Sequence, residues 1–182
     1  MGPIYPPPPL AASAGMRDGA GVMYAFEPDP DQPKPELYAD LLAAARGLVA
    51  DERDAVANMA NIAALIWQFV PQLNWAGFYR VLDGELVLGP FIGKPACIRI
   101  AMGQGVCGAA AATGQTQLVA DVHAFPGHIA CDAESRSELV VPVTRDGATI
   151  AVIDLDAPVE ARFDEEDAAG METLAAMLAE RI

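Results

Sequence analysis

The sequence predicts an α+β fold: a central antiparallel sheet flanked by N- and C-terminal helices. Three observations carry it. Apolar residues recur at helical spacing near both ends of the body, two Asp-Gly dipeptides each separate a pair of strand-like runs, and the segment between the runs is rich in Gly, Pro and Asp.

Between Met1 and Pro35 lie nine of the chain's 15 prolines, four of them consecutive at Pro6 to Pro9. Such a segment buries too little apolar surface to offset its ordering entropy, so residues 1–35 are expected to be a disordered extension and residues 36–182 the folded domain. A polyproline ligand for a partner is the functional reading of this segment; an extension, an expression scar or an early start, with Met16 or Met23 as the true initiator, is the plainer one.

Leu37, Leu41, Leu42 and Leu48 mark a first helix, and Val56, Met59, Ala63, Ile66 and Val70 a second along Asp51 to Val70. NWAGFYRVL (Asn74 to Leu82), Asp83-Gly84 and ELVL then read as a hairpin, because Asp-Gly supplies the positive φ angles of a tight primed turn. The pattern repeats where SELVVPVTR enters Asp146-Gly147 and ATIAVIDLD leaves it, with apolar residues on both faces, as in strands covered by helices. Asp164, with Asp167 three residues on, caps a last helix lined by Met171, Leu174, Leu178 and Ile182. Between Phe91 and Ser137 a loop-rich stretch is expected, broken by a short Ala-rich helix near Val106 to Thr113.

Composition narrows the function. A length of 182 residues with 53% hydrophobic content suits one domain with a sizeable core. The formal charge of −14 opposes nucleic acid and anionic membranes and favours cationic or zwitterionic ligands. No apolar run suggests a membrane span or a secretory signal, and an odd, sparse cysteine count argues against a secreted disulfide scaffold. A cytoplasmic location is expected.

All three cysteines, Cys97, Cys107 and Cys131, fall within 35 residues of the loop-rich stretch. Among Gly, Pro, His and Asp a thiol is exposed enough to react, which points to thiol redox chemistry. Asp154 and Asp156 lie two apart and follow Ile150 and Val152, so on a strand all four share one face and the apolar face ends in paired carboxylates. A strand passing into solvent gives the same pattern, and the residues leave both readings open. Trp75, at the start of a strand, suits either the core or the wall of a pocket. His128, three residues before Cys131, fits a loop hydrogen bond better than a role in activating the thiol. GQGVCG lacks the Lys-Ser/Thr of a phosphate loop, so its glycines serve a turn.

Taken together, NWAGFY, GPFIGKPACIRI, GQGVCGAAAATGQTQLVADVHAFPGHIACD, SELVVPV and IAVIDLDAP resemble the free methionine-(R)-sulfoxide reductase family, whose members are single GAF domains. The resemblance runs from Tyr38 to the C-terminus and departs only in the Pro-rich segment. It implies that Cys131 attacks the substrate, Cys97 resolves, and Cys107 assists as an alternative resolving or recycling thiol. It further implies that Trp75, Glu138, Asp154 and Asp156 form the substrate pocket, that thioredoxin (with its reductase and NADPH) recycles the disulfide, and that no cofactor is bound. A disulfide from Cys97 to Cys131 would constrain the unfolded chain by about 3.8 kcal/mol in the loop-entropy picture.

Chemistry and resemblance agree. A thiolate attacks sulfur, the thioether departs, and the sulfenic acid left behind needs a second thiol. Clustered carboxylates cannot all ionise cheaply, so one can supply a proton while the others hold the ammonium of a free amino acid. Two alternatives are a non-catalytic GAF sensor of a small molecule or of redox state, and a metal site of Cys97, Cys107, Cys131 and His128. The wide thiol spacing disfavours the latter, and neither explains the acids. Apolar helical faces can also support a homodimer.

Overall fold

In the computed structural model, which describes residues 26, 28, 29, 31–127 and 133–182, the first element is helix α1 (Lys34–Leu48). Pro35 sits in its first turn, where a missing N–H costs nothing, so the helix starts two residues ahead of the domain boundary expected from composition. The rest of that segment, residues 1–25, 27 and 30, lies outside the described residues. Leu37, Tyr38, Leu41, Ala44 and Ala45 form the buried stripe of α1. Helix α2 (Ala55–Phe69) begins at Asp54, whose side chain accepts the N–H of Ala57 at 2.8 Å. It buries Met59, Ile62, Ala63, Leu65, Ile66 and Phe69.

Strands β1 (Trp75–Leu82) and β2 (Glu85–Gly93) form the first predicted hairpin. At its turn Asp83 and Gly84 have φ of 52° and 83°, the left-handed values that two-residue connection requires. Strands β3 (Arg99–Ala101) and β4 (Gln117–Val119) flank the short helix α3 (Gly105–Thr113), and both fall where loop was expected. At three residues each they are too short to display a period-two pattern. Strands β5 (Ser137–Arg145) and β6 (Ala148–Ala157) form the second predicted hairpin, again with positive φ at Asp146 and Gly147. Helix α4 (Glu165–Leu178) carries the expected cap, a reciprocal box between Asp164 and Asp167. Ile182 lies beyond its last turn yet packs against the core.

The six strands run in the order β3-β2-β1-β6-β5-β4, and all paired neighbours are antiparallel. One face, with Ala76, Phe78, Leu139, Val141, Ile153 and Leu155, is sealed by α1, α2 and α4 into the larger apolar core. The other face, with Trp75, Tyr79, Val140 and Val152, packs on α3 through Val106, Cys107, Ala110 and Ala111. The α+β architecture read from the sequence is therefore present. The thinner of its two cores holds the polar residues discussed next.

A charged buried knot, Asp167, ties the ends of the domain together. Its carboxylate accepts from Tyr38 Oη (2.7 Å), Lys34 Nζ (2.7 Å) and Arg162 (3.2 Å), so α1, α4 and the segment after β6 meet at one side chain that is 1% exposed.

Candidate active site

Register alone aligns the acids. Trp75 of β1 pairs with Asp156 of β6, and Asp156 pairs with Glu138 of β5, so the three side chains stand in one transverse row on the α3 side of the sheet. One step along the strands, Gly77 pairs with Asp154 and Asp154 with Val140, which puts Asp154 diagonal to both Trp75 and Glu138 on the same face. Gly77 suits this row for a steric reason: a Cβ there would run into Phe91 of β2. Phe91 instead stacks on Trp75 (5.2 Å between centroids, 12°), and Trp75 on Tyr79 (5.9 Å, 22°), giving a three-ring wall beside the carboxylates.

Helix α3 brings a thiol onto this row. Cys107 Sγ lies 3.9 Å from Glu138 Oε1, and ligand atoms of Cys107, Glu138 and Asp154 all fall within 4.8 Å of one another. All three side chains are buried. Burial pushes Glu138 well above the ordinary carboxylate range, and the neighbouring carboxylates of Asp154 and Asp156 push it further. Burial also raises Asp154, to about 6, against the opposing effect of hydrogen bonds from Cys107 and Glu138 and the N–H of Leu155. The Cys107 thiol is raised well above its usual value by burial and by the two acids, so it stays protonated at neutral pH. Tyr79 is held neutral by burial and by Asp154.

The segment carrying Cys97 roofs the site. Trp75 Nε1 donates to Lys94 O (3.2 Å) and Tyr79 Oη donates to Cys97 O (3.0 Å), so two rings of the wall hold the backbone of 94–97. Beneath it Trp75, Tyr79, Lys94, Pro95, Ala96, Asp154 and Asp156 line a recess whose free volume of about 10 Å³ is about that of a single water. Cys97 is disulfide-bonded, whereas among the described residues Cys107 is the free cysteine. Lys94 also pairs with Glu134 at 2.6 Å, linking the roof to the chain that follows residues 128–132. That chain is fixed in turn by Asn74 Nδ2, which donates to Ser135 Oγ (3.0 Å), and by Arg136 N, which donates to Ala157 O (2.8 Å).

Of the residues singled out in the sequence, Trp75, Glu138, Asp154, Asp156, Cys97 and Cys107 converge on this one site. Cys131 and His128 lie outside the described residues. The strand pair Asp154 and Asp156 does not fray into solvent: Asp154 is buried, and Asp156 is half-buried at the recess. Three further participants were missed. Tyr79 shares Trp75's face by the period of two and was legible as such. Lys94 and Asn74 act through backbone and loop contacts that leave no pattern in a sequence.

An antiparallel six-stranded sheet with helices α1, α2 and α4 on one face and a small polar site under α3 on the other defines a GAF domain, and the family described as GAF domain matches residues 56–182. The chain belongs to the free methionine-(R)-sulfoxide reductase family within that class. It is 49% identical to the free methionine-R-sulfoxide reductase of Escherichia coli, over 80% of this chain and 88% of that one. It is 45% identical to the enzyme of the same name from Saccharomyces cerevisiae, over 93% and 96%. A solved structure of free methionine-R-sulfoxide reductase from Neisseria meningitidis, in complex with its substrate, superposes with a TM-score of 0.83 at 46% identity, covering 87% of this chain and 95% of that one.

Proposed function

We propose that this protein reduces free L-methionine-(R)-sulfoxide to L-methionine in the repair of oxidative damage, with its own cysteines as the electron source. The observation that carries the reading is the row of Trp75, Asp156 and Glu138, joined by Asp154, under a roof that bears Cys97. An apolar aromatic wall beside clustered carboxylates suits a small zwitterion with a thioether-like end and an ammonium end. The names of the relatives at 45–49% identity point the same way.

In this mechanism the Cys131 thiolate attacks the sulfoxide sulfur while a clustered carboxyl, kept protonated by burial, gives its proton to the departing oxygen. The oxygen passes to Cys131 as a sulfenic acid and methionine leaves. The Cys97 thiol condenses with that sulfenic acid, forming a disulfide and releasing water. Thioredoxin then restores both thiols by dithiol exchange and is itself recharged by its reductase and NADPH. The remaining carboxylates hold the substrate's ammonium, a group that a sulfoxide within a polypeptide lacks, which makes the site selective for the free amino acid.

Two features support this cycle. The disulfide at Cys97 is a resting product of it, and the recess under 94–96 is too tight for an amino acid while that segment is held down. Reduction therefore has to release the roof before substrate enters. Cys107, buried and protonated, serves as a reserve thiol for the exchange step only once the roof has moved. The reaction needs no bound cofactor and takes place in the cytoplasm; the protein works alone or as a homodimer.

The test is turnover of free L-methionine-(R)-sulfoxide with thioredoxin recycling, beside the (S) epimer, a peptide-bound (R) sulfoxide and the Cys131→Ser variant. Consumption of the free (R) compound alone, abolished in the variant, is the expected result. No consumption of any sulfoxide would overturn the reading and leave a ligand-sensing GAF domain.

A further inference from the structure

Cys107 is the part of the site that binding an ammonium leaves unused. An ammonium takes carboxylate oxygens and has no use for a sulfur, yet helix α3 holds this thiol in the acid cluster, with Glu138 Oε1 3.9 Å from Sγ. One oxygen of the same cluster, Asp154 Oδ1, is buried and accepts no hydrogen bond, in a side chain that belongs to a residue only 5% exposed. That side chain's other contacts, from Cys107, Glu138 and the N–H of Leu155, leave this oxygen open to a proton, a water or a cation, and the sulfur beside it favours a cation that takes thiolate.

We propose that Cys107, Glu138 and Asp154 form a three-ligand site for one divalent cation of the zinc class, bound in the place where the substrate's ammonium would sit. One sulfur and two carboxylate oxygens are a donor set that zinc accepts, with a fourth position left for water or for Asp156. The ligand atoms are at most 4.8 Å apart. Tetrahedral coordination, with sulfur at about 2.3 Å and oxygen at about 2.0 Å from the metal, brings them to about 3.5 Å, a movement of side chains rather than of the sheet. Magnesium and calcium are disfavoured, since both require about six oxygens and neither favours sulfur. The cluster borders the recess through Asp154, which lines it together with Asp156. The site differs from the one considered in the sequence, which needed Cys97, Cys131 and His128. Its overlap with the substrate's ammonium, and hence its action as a reversible inhibitor, rest on the reductase reading; the three-ligand site itself does not.

The probe is Co²⁺, added to the full-length oxidised protein, where Cys97 is already in its disulfide and Cys107 keeps its thiol. The expected result is one Co²⁺ per chain with a near-ultraviolet thiolate-to-cobalt band, lost in Cys107→Ser and weakened about tenfold or more in Asp154→Asn. No band, or a band that persists in Cys107→Ser, overturns the proposal. Should that variant fold poorly by circular dichroism, X-ray absorption at the cobalt edge of the wild-type complex decides: a sulfur neighbour supports the site, an all-oxygen shell overturns it. In turnover, Zn²⁺ should raise the apparent KM for the free sulfoxide and leave kcat unchanged; a fall in kcat alone would overturn the shared location. If no sulfoxide is turned over at all, the reductase reading fails while the cobalt result still stands on its own.

Discussion

Tyr79 donates its hydroxyl to the backbone carbonyl of Cys97 at 3.0 Å, so a ring in the centre of the sheet holds the segment that carries a disulfide-bonded cysteine. Trp75 makes a parallel contact to Lys94 O, and the two rings are stacked on each other. The aromatic wall and the segment that bears Cys97 are thus one mechanical unit.

Tyr79→Phe should keep the stack and lose only this tie. Stability should fall by about 1 kcal/mol, the worth of a typical hydrogen bond, read as a shift in the urea midpoint. Under the proposed mechanism, disulfide formation after a single turnover should slow several-fold. An unchanged rate in quenched thiol counts would show that the carbonyl contact does not position Cys97.

Asp154→Asn should separate stability from activity. The carboxyl titrates near pH 6 in the folded protein against about 3.8 for an ordinary aspartate, so the native state holds extra proton between those values and loses stability as pH rises through them. Removing the charge should therefore leave the variant at least as stable as the wild type at pH 7 to 8, while under the proposed mechanism sulfoxide turnover collapses. A variant that unfolds more readily at pH 8 would contradict this account.

Cys107 should resist alkylation. Its thiol is buried and shifted upward, so iodoacetamide near pH 8 should label it only when the chain is denatured, as mass spectrometry of the folded and unfolded protein can show. Rapid labelling in the folded state would mean that α3 opens freely.

Asp167→Ala should be the most damaging change outside the site. It strands Arg162 and the Tyr38 hydroxyl in the interior, with an expected loss of about 3 kcal/mol or more. Gly170→Ala should act on the same knot from the other side, since its Cβ would collide with the Tyr38 ring. Urea unfolding followed by tryptophan fluorescence measures both, and a loss below about 1 kcal/mol for Asp167→Ala would show the knot to be dispensable.

The start of α4 gives a pH dependence with a definite sign. Asp164 is lowered to about 2, first by its hydrogen bond from Lys34, and it also caps the helix. A depressed carboxylate stabilises the fold above its unfolded value near 3.8, and that contribution is lost as pH falls through about 2. Lys34→Met should remove most of this acid-side slope, with Asp164 still able to cap. An identical acid unfolding curve for the variant would assign the slope to other groups.

The two hairpins, the capped last helix and the two N-terminal helices are legible in the residues alone, because each rests on local rules: Asp-Gly at positive φ, an Asp at an N-cap, apolar residues at a fixed period. The same rules also place Asp154 and Asp156 on one strand face. Strands β3 and β4 escape them because three residues carry no period. Local rules equally could not say whether the two aspartates met solvent or one another's neighbours. The folded chain settles it through the register that sets Trp75, Asp156 and Glu138 in one row and through the packing of α3, which delivers Cys107 onto them from more than 30 residues away in sequence. Cross-strand register and helix docking are products of the whole core, and the charge crowding that gives this site its chemistry exists only after both are fixed.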